Sequence, residues 1–284
     1  MSDVRYKIYP SLLDKFQALL DSDIEAESFW NIDSEAGEMK RTPDEIASQH
    51  EKELLDSINR VPCEPIEAAD KGTCFNEIVD CLINVRTSDR DDVEIEFGVL
   101  DQHGVFHLDT CDYQPEGIYV AQAKMNGFTF LFDLKTCEEA AQYFGIYAIG
   151  QHLCKGVIHT VYGDVELYGY ADEIVMDKVY DIKTTSSYSF GKFERAWQKE
   201  VYPYCLVQSG EMGCVSEFEY TVFQLSKPSS RNPVITAKMY KEPYTFDFSA
   251  TEKRLKAFLE RFIEWLESHR ADITDKKIFN YVLD

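Results

Sequence analysis

Apolar residues recur at helical spacing at Leu12, Leu13, Phe16, Leu19 and Leu20, and Tyr9-Pro10-Ser11 ahead of them predicts a helix to about Leu20. A second helix is expected from Thr42-Pro43-Asp44-Glu45, with Thr42 as N-cap, Pro43 in the first turn and Glu45 closing a capping box. A third follows Lys71-Gly72-Thr73 and runs from Cys74 to about Asn84. From Asp92 to Phe132 the period changes to two. "VEIEFGVLDQHGVFHL" and "GIYVAQAKMNGFTFLF" each read as a hairpin, the second turning at Asn126-Gly127. Thr136-x-x-Glu139 then predicts a capped helix to about Lys155. Strands resume from Val157 to Thr184, with turns at Gly163-Asp164 and near Asp177, and a helix is expected from about Phe193 to Gln208. Strands near 215–225 and 234–248 precede a last helix, Ala250 to about His269, whose apolar stripe is ordinary core packing.

This order predicts one α/β domain, with a helical N-terminal extension over 1–70 and a β-rich insert over 86–132. The chain has 284 residues, 44% hydrophobic and 13% aromatic, enough to fill a core. No run approaches a membrane span and MSDVRYKIYP lacks an apolar signal core, so the expectation is a cytoplasmic protein with no membrane partner. Eight cysteines, none in a C-x-x-C pair, then read as scattered buried thiols. The net charge of −22 changes the picture most. A surface this acidic repels polyanions, so any nucleic-acid function needs a local basic strip or bound divalent cations.

One stretch supplies a way to bind such cations. "GYADEIVMDKVYDIKTT" puts Asp181 and Lys183 two apart on a strand, pointing to one face, while Ile182 turns to the core. A hairpin at Met176-Asp177 brings Asp172 onto the neighbouring strand. Two carboxylates and an ammonium then converge, and their oxygens suit Mg²⁺ or Mn²⁺. The same residue types equally suit a cross-strand salt bridge on a solvated face. Three other acid-x-Lys triplets occur. Asp133/Lys135 reads as helix-start chemistry, and Glu38/Lys40 and Asp275/Lys277 fall in polar loops.

Fifteen residues after Lys183, "FERAWQKEVYPYCL" carries Gln198 and Tyr202 at i,i+4. Gly169-x-x-Asp172, Asp181-x-Lys183 and Gln198-x-x-x-Tyr202, in this order, resemble the RecB-type nucleases of the PD-(D/E)XK superfamily, many of them phage-encoded exonucleases. "KGTCFNEIVD" echoes that family's first motif, a helix reading G-T-x-x-H. The likeness covers about residues 70–84 and 157–225. It implies a restriction-endonuclease-like core, a mixed central sheet flanked by helices, filling the single domain of 1–284 with its β-rich insert. It implies a Mg²⁺- or Mn²⁺-dependent deoxyribonuclease acting in recombination, replication or repair, in a bacterial or phage-infected cell. DNA would be its partner, and a recombinase, annealing protein or helicase could join it.

By the same resemblance, Asp172 and Asp181 ligate metal, the Ile182 carbonyl can add a ligand, and Lys183 serves the attacking water. Gln198 and Tyr202 hold the site and the nucleic-acid strand. Asn76 stands where the family has a metal-binding histidine, and Glu77, one residue on, offers the charge that a hard cation prefers. The alternative is a catalytically silent scaffold or binding subunit. Lys192, Arg195 and Lys199 surround Gln198 in a chain poor in basic residues, and either phosphate contact or ordinary salt bridging suits them. No Walker loop, G-x-S-x-G or dinucleotide fingerprint occurs, which leaves NTP, acyl-transfer and nicotinamide chemistry without support.

Overall fold

In a computed structural model that describes residues 4–30, 41–109 and 116–280, the chain begins β1 (Val4–Ile8), α1 (Pro10–Leu20), α2 (Ser22–Trp30), α3 (Pro43–Ile58) and α4 (Glu67–Asn84). It continues as β2 (Glu94–Asp101), β3 (Phe106–Leu108), β4 (Gly117–Met125), β5 (Phe128–Asp133) and α5 (Leu134–Phe144). Then come β6 (Ile149–Thr160), β7 (Gly163–Val175), β8 (Lys178–Thr185) and α6 (Gln198–Gln208). Next come β9 (Glu217–Leu225), β10 (Val234–Ile235), β11 (Ala237–Thr245) and α7 (Phe248–Ser268), and a short 3₁₀ helix, Lys276–Ile278, follows Asp275. The Glu38 triplet lies outside the described residues.

The fold is α/β. A six-stranded mixed sheet has the order β1-β7-β8-β9-β11, with β6 along the other edge of β7. β1 runs parallel to β7 at Asp164–Leu167, and β8 pairs antiparallel with it at Glu173–Val175. Between Leu167 and Glu173 that edge of β7 has no strand partner among the described residues. A second sheet, β10-β5-β4-β2-β3, holds both predicted hairpins. Asn126 and Gly127 have φ of 49° and 84°, the left-handed pair that a two-residue hairpin turn requires.

Strand alternation divides the core into layers. Val179 and Val222 face α1, α6 and α7, packing with Leu13, Phe16, Tyr204, Leu259 and Phe262. Tyr180, Ile182 and Phe223 face the other way, onto Phe75 and Ile78 of α4 and Phe144 of α5. Those two helices are covered in turn by Phe130 and Phe132 of the second sheet. Each fully buried side chain of this size contributes about 1.5–3 kcal/mol, so α4 is clamped firmly between the sheets. Among the described residues no helix is long and apolar enough to cross a membrane.

Several expected boundaries move. The helix expected to reach Lys155 ends at Phe144: Gly145 turns out with φ 78°, and residues from Ile149 pair along β7 as strand. Its N-cap is Asp133, which takes the Thr136 N–H at 2.9 Å, and beyond Gly145 the pairing with β7 overrides the local helical signal. The helix expected from Phe193 starts at Gln198, because Gly191 to Trp197 form turns and the Trp197 N–H is drawn to Asp14 at 2.7 Å. α4 begins at Glu67, earlier than Cys74, and Gly72 lies inside it. The 1–70 extension is not purely helical, since β1 enters the main sheet. The 86–132 insert is not self-contained either: Val234-Ile235 extend its sheet. Cys63 and Cys214 are exposed, against the expectation of buried thiols.

Candidate functional site

Asp172 lies at the open edge of β7. The β7–β8 ladder runs from Val175/Lys178 to Glu173/Tyr180, and the next rung sets Asp172 opposite Asp181. There the strands part, and the Ile182 N–H donates to the Asp172 carboxylate (Oδ2) at 2.7 Å. Burial, then the Asp181 charge, push Asp172 up to about 7. Asp181 is buried and pairs with Lys183 Nζ at 2.7 Å. Burial opposes the Lys183 charge, but Asp181, Asp172 and Asp14 outweigh it and raise the ammonium above its ordinary pKa. The predicted trio is assembled, and Lys183 is held in its charged form.

The α6 residues close one side. A Cβ on Gly169 would come within 2.7 Å of Tyr202 Cε1, so the glycine is what lets the Tyr202 ring lie against β7. Burial, foremost, raises the Tyr202 phenol far above its ordinary range and keeps it neutral. Gln198 opens α6 and accepts from the Tyr220 hydroxyl at 3.4 Å, while Lys183 Nζ lies 5.6 Å from the Tyr220 ring centre. Gln198, Tyr202 and Asp172 line one cavity of about 600 Å³.

On the other side, Gly72 brings α4 down onto β8, where a Cβ would come within 2.4 Å of Thr184 Oγ1. Asn76, Glu77, Asp80, Arg86 and Asp172 line a second cavity of about 510 Å³. The α4 acid that shares a partner with Asp172 is Asp80, not Glu77. Gln151 Nε2 donates to Asp80 Oδ2 at 3.2 Å and to Asp172 Oδ1 at 3.3 Å. Glu77 is drawn instead to Arg86 at 3.0 Å. Asp80 is pushed up to about 6, chiefly by burial, and the fully buried Glu173 beside it to about 9, by burial and then by Asp80. Asp80 had a signal in the sequence, since it lies one helical turn after Asn76.

Asp14 also joins the site. It approaches Asp181 and Lys183 from α1, and burial, foremost, raises it to about 6. Nothing in the sequence ties this residue to a strand more than 150 positions away. Lys192, Arg195 and Lys199 do not form a shared strip. Arg195 lies in the turn before α6, so it has no helical face in common with Lys199, and it pairs with Asp21 at 2.8 Å. Lys192 binds Thr185 Oγ1 at 2.6 Å and the Ser187 carbonyl at 2.9 Å. Lys199 lies over Tyr244, with its pKa lowered by burial.

The atoms here able to ligate a cation, the carboxylates of Asp172 and Asp181 and the Ile182 carbonyl, are all oxygens, which fit Mg²⁺ or Mn²⁺. Two observations support that fit. Asp172 and Asp181 repel one another, a strain that a divalent cation relieves, and the buried Asn76 Oδ1 has no hydrogen-bond partner among the described residues. Among the described residues no three His, Cys, Asp or Glu side chains form a ready-made cage. Two carboxylates supplemented by waters would therefore have to hold the ion.

No family model matches the chain, and no curated protein does. One solved structure, titled "Crystal structure of SSO0001", is similar over 46% of this chain with a TM-score of 0.30 and 16% identity. The match spans 56% of that chain.

Proposed function

We propose that the protein is a metal-dependent DNA nuclease with a PD-(D/E)XK-like core, of RecB type, acting on DNA ends. The observation that carries this reading is the Asp172–Ile182 bond, which holds Asp172 beside the buried Asp181–Lys183 pair. Asp172, Asp181 and the Ile182 carbonyl would hold Mg²⁺ or Mn²⁺, and the ion when bound would supply an acidified water and charge neutralisation at phosphate. Lys183, kept protonated by its acidic neighbours, would orient water or donate to a phosphate oxygen. Tyr202, neutral and packed on Gly169, positions α6 and so Gln198.

The test is degradation of linear against circular, and single- against double-stranded, DNA in Mn²⁺. Asp181→Ala is expected to lose both metal binding and cleavage, whereas Lys183→Ala binds metal and loses cleavage. Calorimetry showing no Mn²⁺ or Mg²⁺ binding by the wild type at millimolar concentration would overturn the assignment.

One observation favours a second reading. Glu77 is tied to Arg86, which leaves Asn76 with only a neutral amide oxygen on that turn of α4. A catalytically silent member of the fold, serving a recombinase, annealing protein or helicase, accounts for that. Intact metal binding without cleavage of any of the four DNA forms is the result that would select it.

A further inference from the structure

The open edge of β7 borders the cavity that contains Asp172 and Tyr202, and its remaining wall includes Tyr9, Tyr168, Tyr170 and Arg60. The Tyr9 and Tyr168 rings lie 5.7 Å apart and tilted by 60°. Tyr170 is 55% exposed, too much for a core packing residue. Arg60 lies beside the Tyr9 and Tyr168 rings: the three line one small cavity, burial raises both phenols, and the Arg60 charge works against that rise in each. Arg60 keeps half its side chain in solvent although it pairs with Asp275 at 3.4 Å. A volume of about 600 Å³ lies inside the range of pockets for one small-molecule-sized unit, about 300–1,000 Å³.

Asp172 and Gln151 belong to this cleft and also to the α4-side cavity, where Arg86 and Arg90 are found. A chain lying across Asp172 therefore has tyrosine faces on one side and guanidinium groups on the other. Tyrosine faces accept any base by stacking, but only a base that is out of a duplex exposes both of its faces. The protein's acidity makes Arg60 notable in this position. It is a cation on the rim of a cleft whose other charged member is Asp172.

We propose that the Tyr9–Tyr168–Tyr170–Arg60 cleft is a subsite for one unpaired nucleotide, with Tyr168 and Tyr170 stacking on its base and Arg60 receiving its phosphate. The proposal rests on the nuclease reading for its choice of DNA as ligand. It makes a frayed or single-stranded end, rather than a blunt duplex, the form that reaches Asp172.

The test is fluorescence anisotropy with a labelled single-stranded oligonucleotide and its blunt duplex, in Ca²⁺, for wild type, Tyr170→Ala, Tyr170→Phe and Arg60→Gln. Tyr170 is exposed, so its variants leave the core untouched. The expected result is tighter single-strand than duplex binding. Tyr170→Ala should weaken single-strand binding roughly tenfold, and Tyr170→Phe should restore it. Arg60→Gln should lower the slope of log affinity against log salt by about 0.7. Equal affinity for both DNA forms, no measurable binding, or an unaltered Tyr170→Ala variant would each overturn the subsite. Metal-dependent cleavage by a protein with an unaltered Tyr170→Ala variant sinks the cleft alone. Tyrosine-dependent binding without cleavage sinks the nuclease reading and leaves the cleft standing.

Discussion

The Asp172 carboxylate accepts the Ile182 backbone N–H at 2.7 Å, at the point where β7 and β8 cease to pair. One side chain thus replaces a rung of the ladder and also faces Asp181. The two roles separate on mutation. Asp172→Asn keeps an acceptor oxygen and removes the repulsion, so without metal it should be at least as stable as wild type in urea yet fail to bind Mn²⁺ by calorimetry. Asp172→Ala leaves the Ile182 N–H without its partner and should lose about 1–3 kcal/mol. Equal stability of the two variants would show that the bond does not brace the edge.

Acidity at the site predicts how stability varies with pH. Asp80, Asp172 and Glu173 are raised to about 6, 7 and 9, mainly by burial, whereas unfolded carboxyls titrate near 4. The folded protein therefore holds more protons than the unfolded chain between those limits. Stability is fully present below about pH 4 and falls as pH rises through 6 to 9. In EDTA the urea midpoint should drop between pH 5 and 8.5, and Glu173→Gln should flatten the upper part of that fall. Asp101, pulled down to about 2 by hydrogen bonds from the Val105 N–H and His107, acts in the opposite sense, but only below about pH 4. A midpoint that rises steadily to pH 8.5 contradicts the assignment.

Close packing sets the third expectation. A methyl at Gly169 meets the ring of the buried Tyr202, a rigid group that can clear it only by shifting as a whole, so Gly169→Ala should cost about 1–3 kcal/mol. Gly72→Ala meets only the Thr184 hydroxyl, which can rotate away, and alanine also favours the helix. It should cost less. Thermal unfolding of the two variants checks the order, and Gly169→Ala combined with Tyr202→Leu should recover part of the loss.

The three cations near α6 should not act alike. Arg195 leaves 68% of its side chain exposed while paired with Asp21, so it can exchange that partner for phosphate. Lys192 and Lys199 are held by turn oxygens and by burial over an aromatic ring. Replacing Arg195 with Ala should lower the salt slope of single-strand binding by about 0.7, and Lys199→Ala should leave the slope alone. Equal changes in both would restore a common strip.

The site was legible where its geometry is local. Residues two apart on a strand, or facing across a two-residue turn, have their relation fixed by the pleat, so Asp172, Asp181 and Lys183 could be grouped from spacing alone. Gln198 and Tyr202 lie within one short helix. Asp14 reaches the site only because β1 pairs with β7 and carries α1 across the sheet, a relation with no local trace. β1 itself is a five-residue strand followed at once by a proline-started helix, and its alternation is too short to stand out. The missed first part of β6, from Ile149 to Gly156, was hidden by an N-terminal helix signal that ends after three turns. The orientation of α4 was the remaining ambiguity, because its rotation depends on Gly72 meeting Thr184.

That rotation decides which α4 acid lies nearest Asp172. Glu77 faces Arg86 and Cys81, and Asn76 leaves a buried side-chain carbonyl oxygen without a partner among the described residues. Asp80 is the α4 carboxylate linked to Asp172, through Gln151, and its charge is among those that raise Asp172. If a cation needs a third carboxylate here, Asp80 should supply it, directly or through water. Asp80→Asn is then expected to weaken Mn²⁺ binding at least tenfold and to cut cleavage further still. Glu77→Gln removes half of a partly buried ion pair and should instead cost stability, about 1–3 kcal/mol, with metal affinity within a few-fold of wild type. Calorimetry with Mn²⁺ and urea unfolding of both variants separate the two effects. Loss of metal binding in Glu77→Gln, with Asp80→Asn unaffected, would return the role to Glu77 and require α4 to turn by most of a residue's angular step, about 100°.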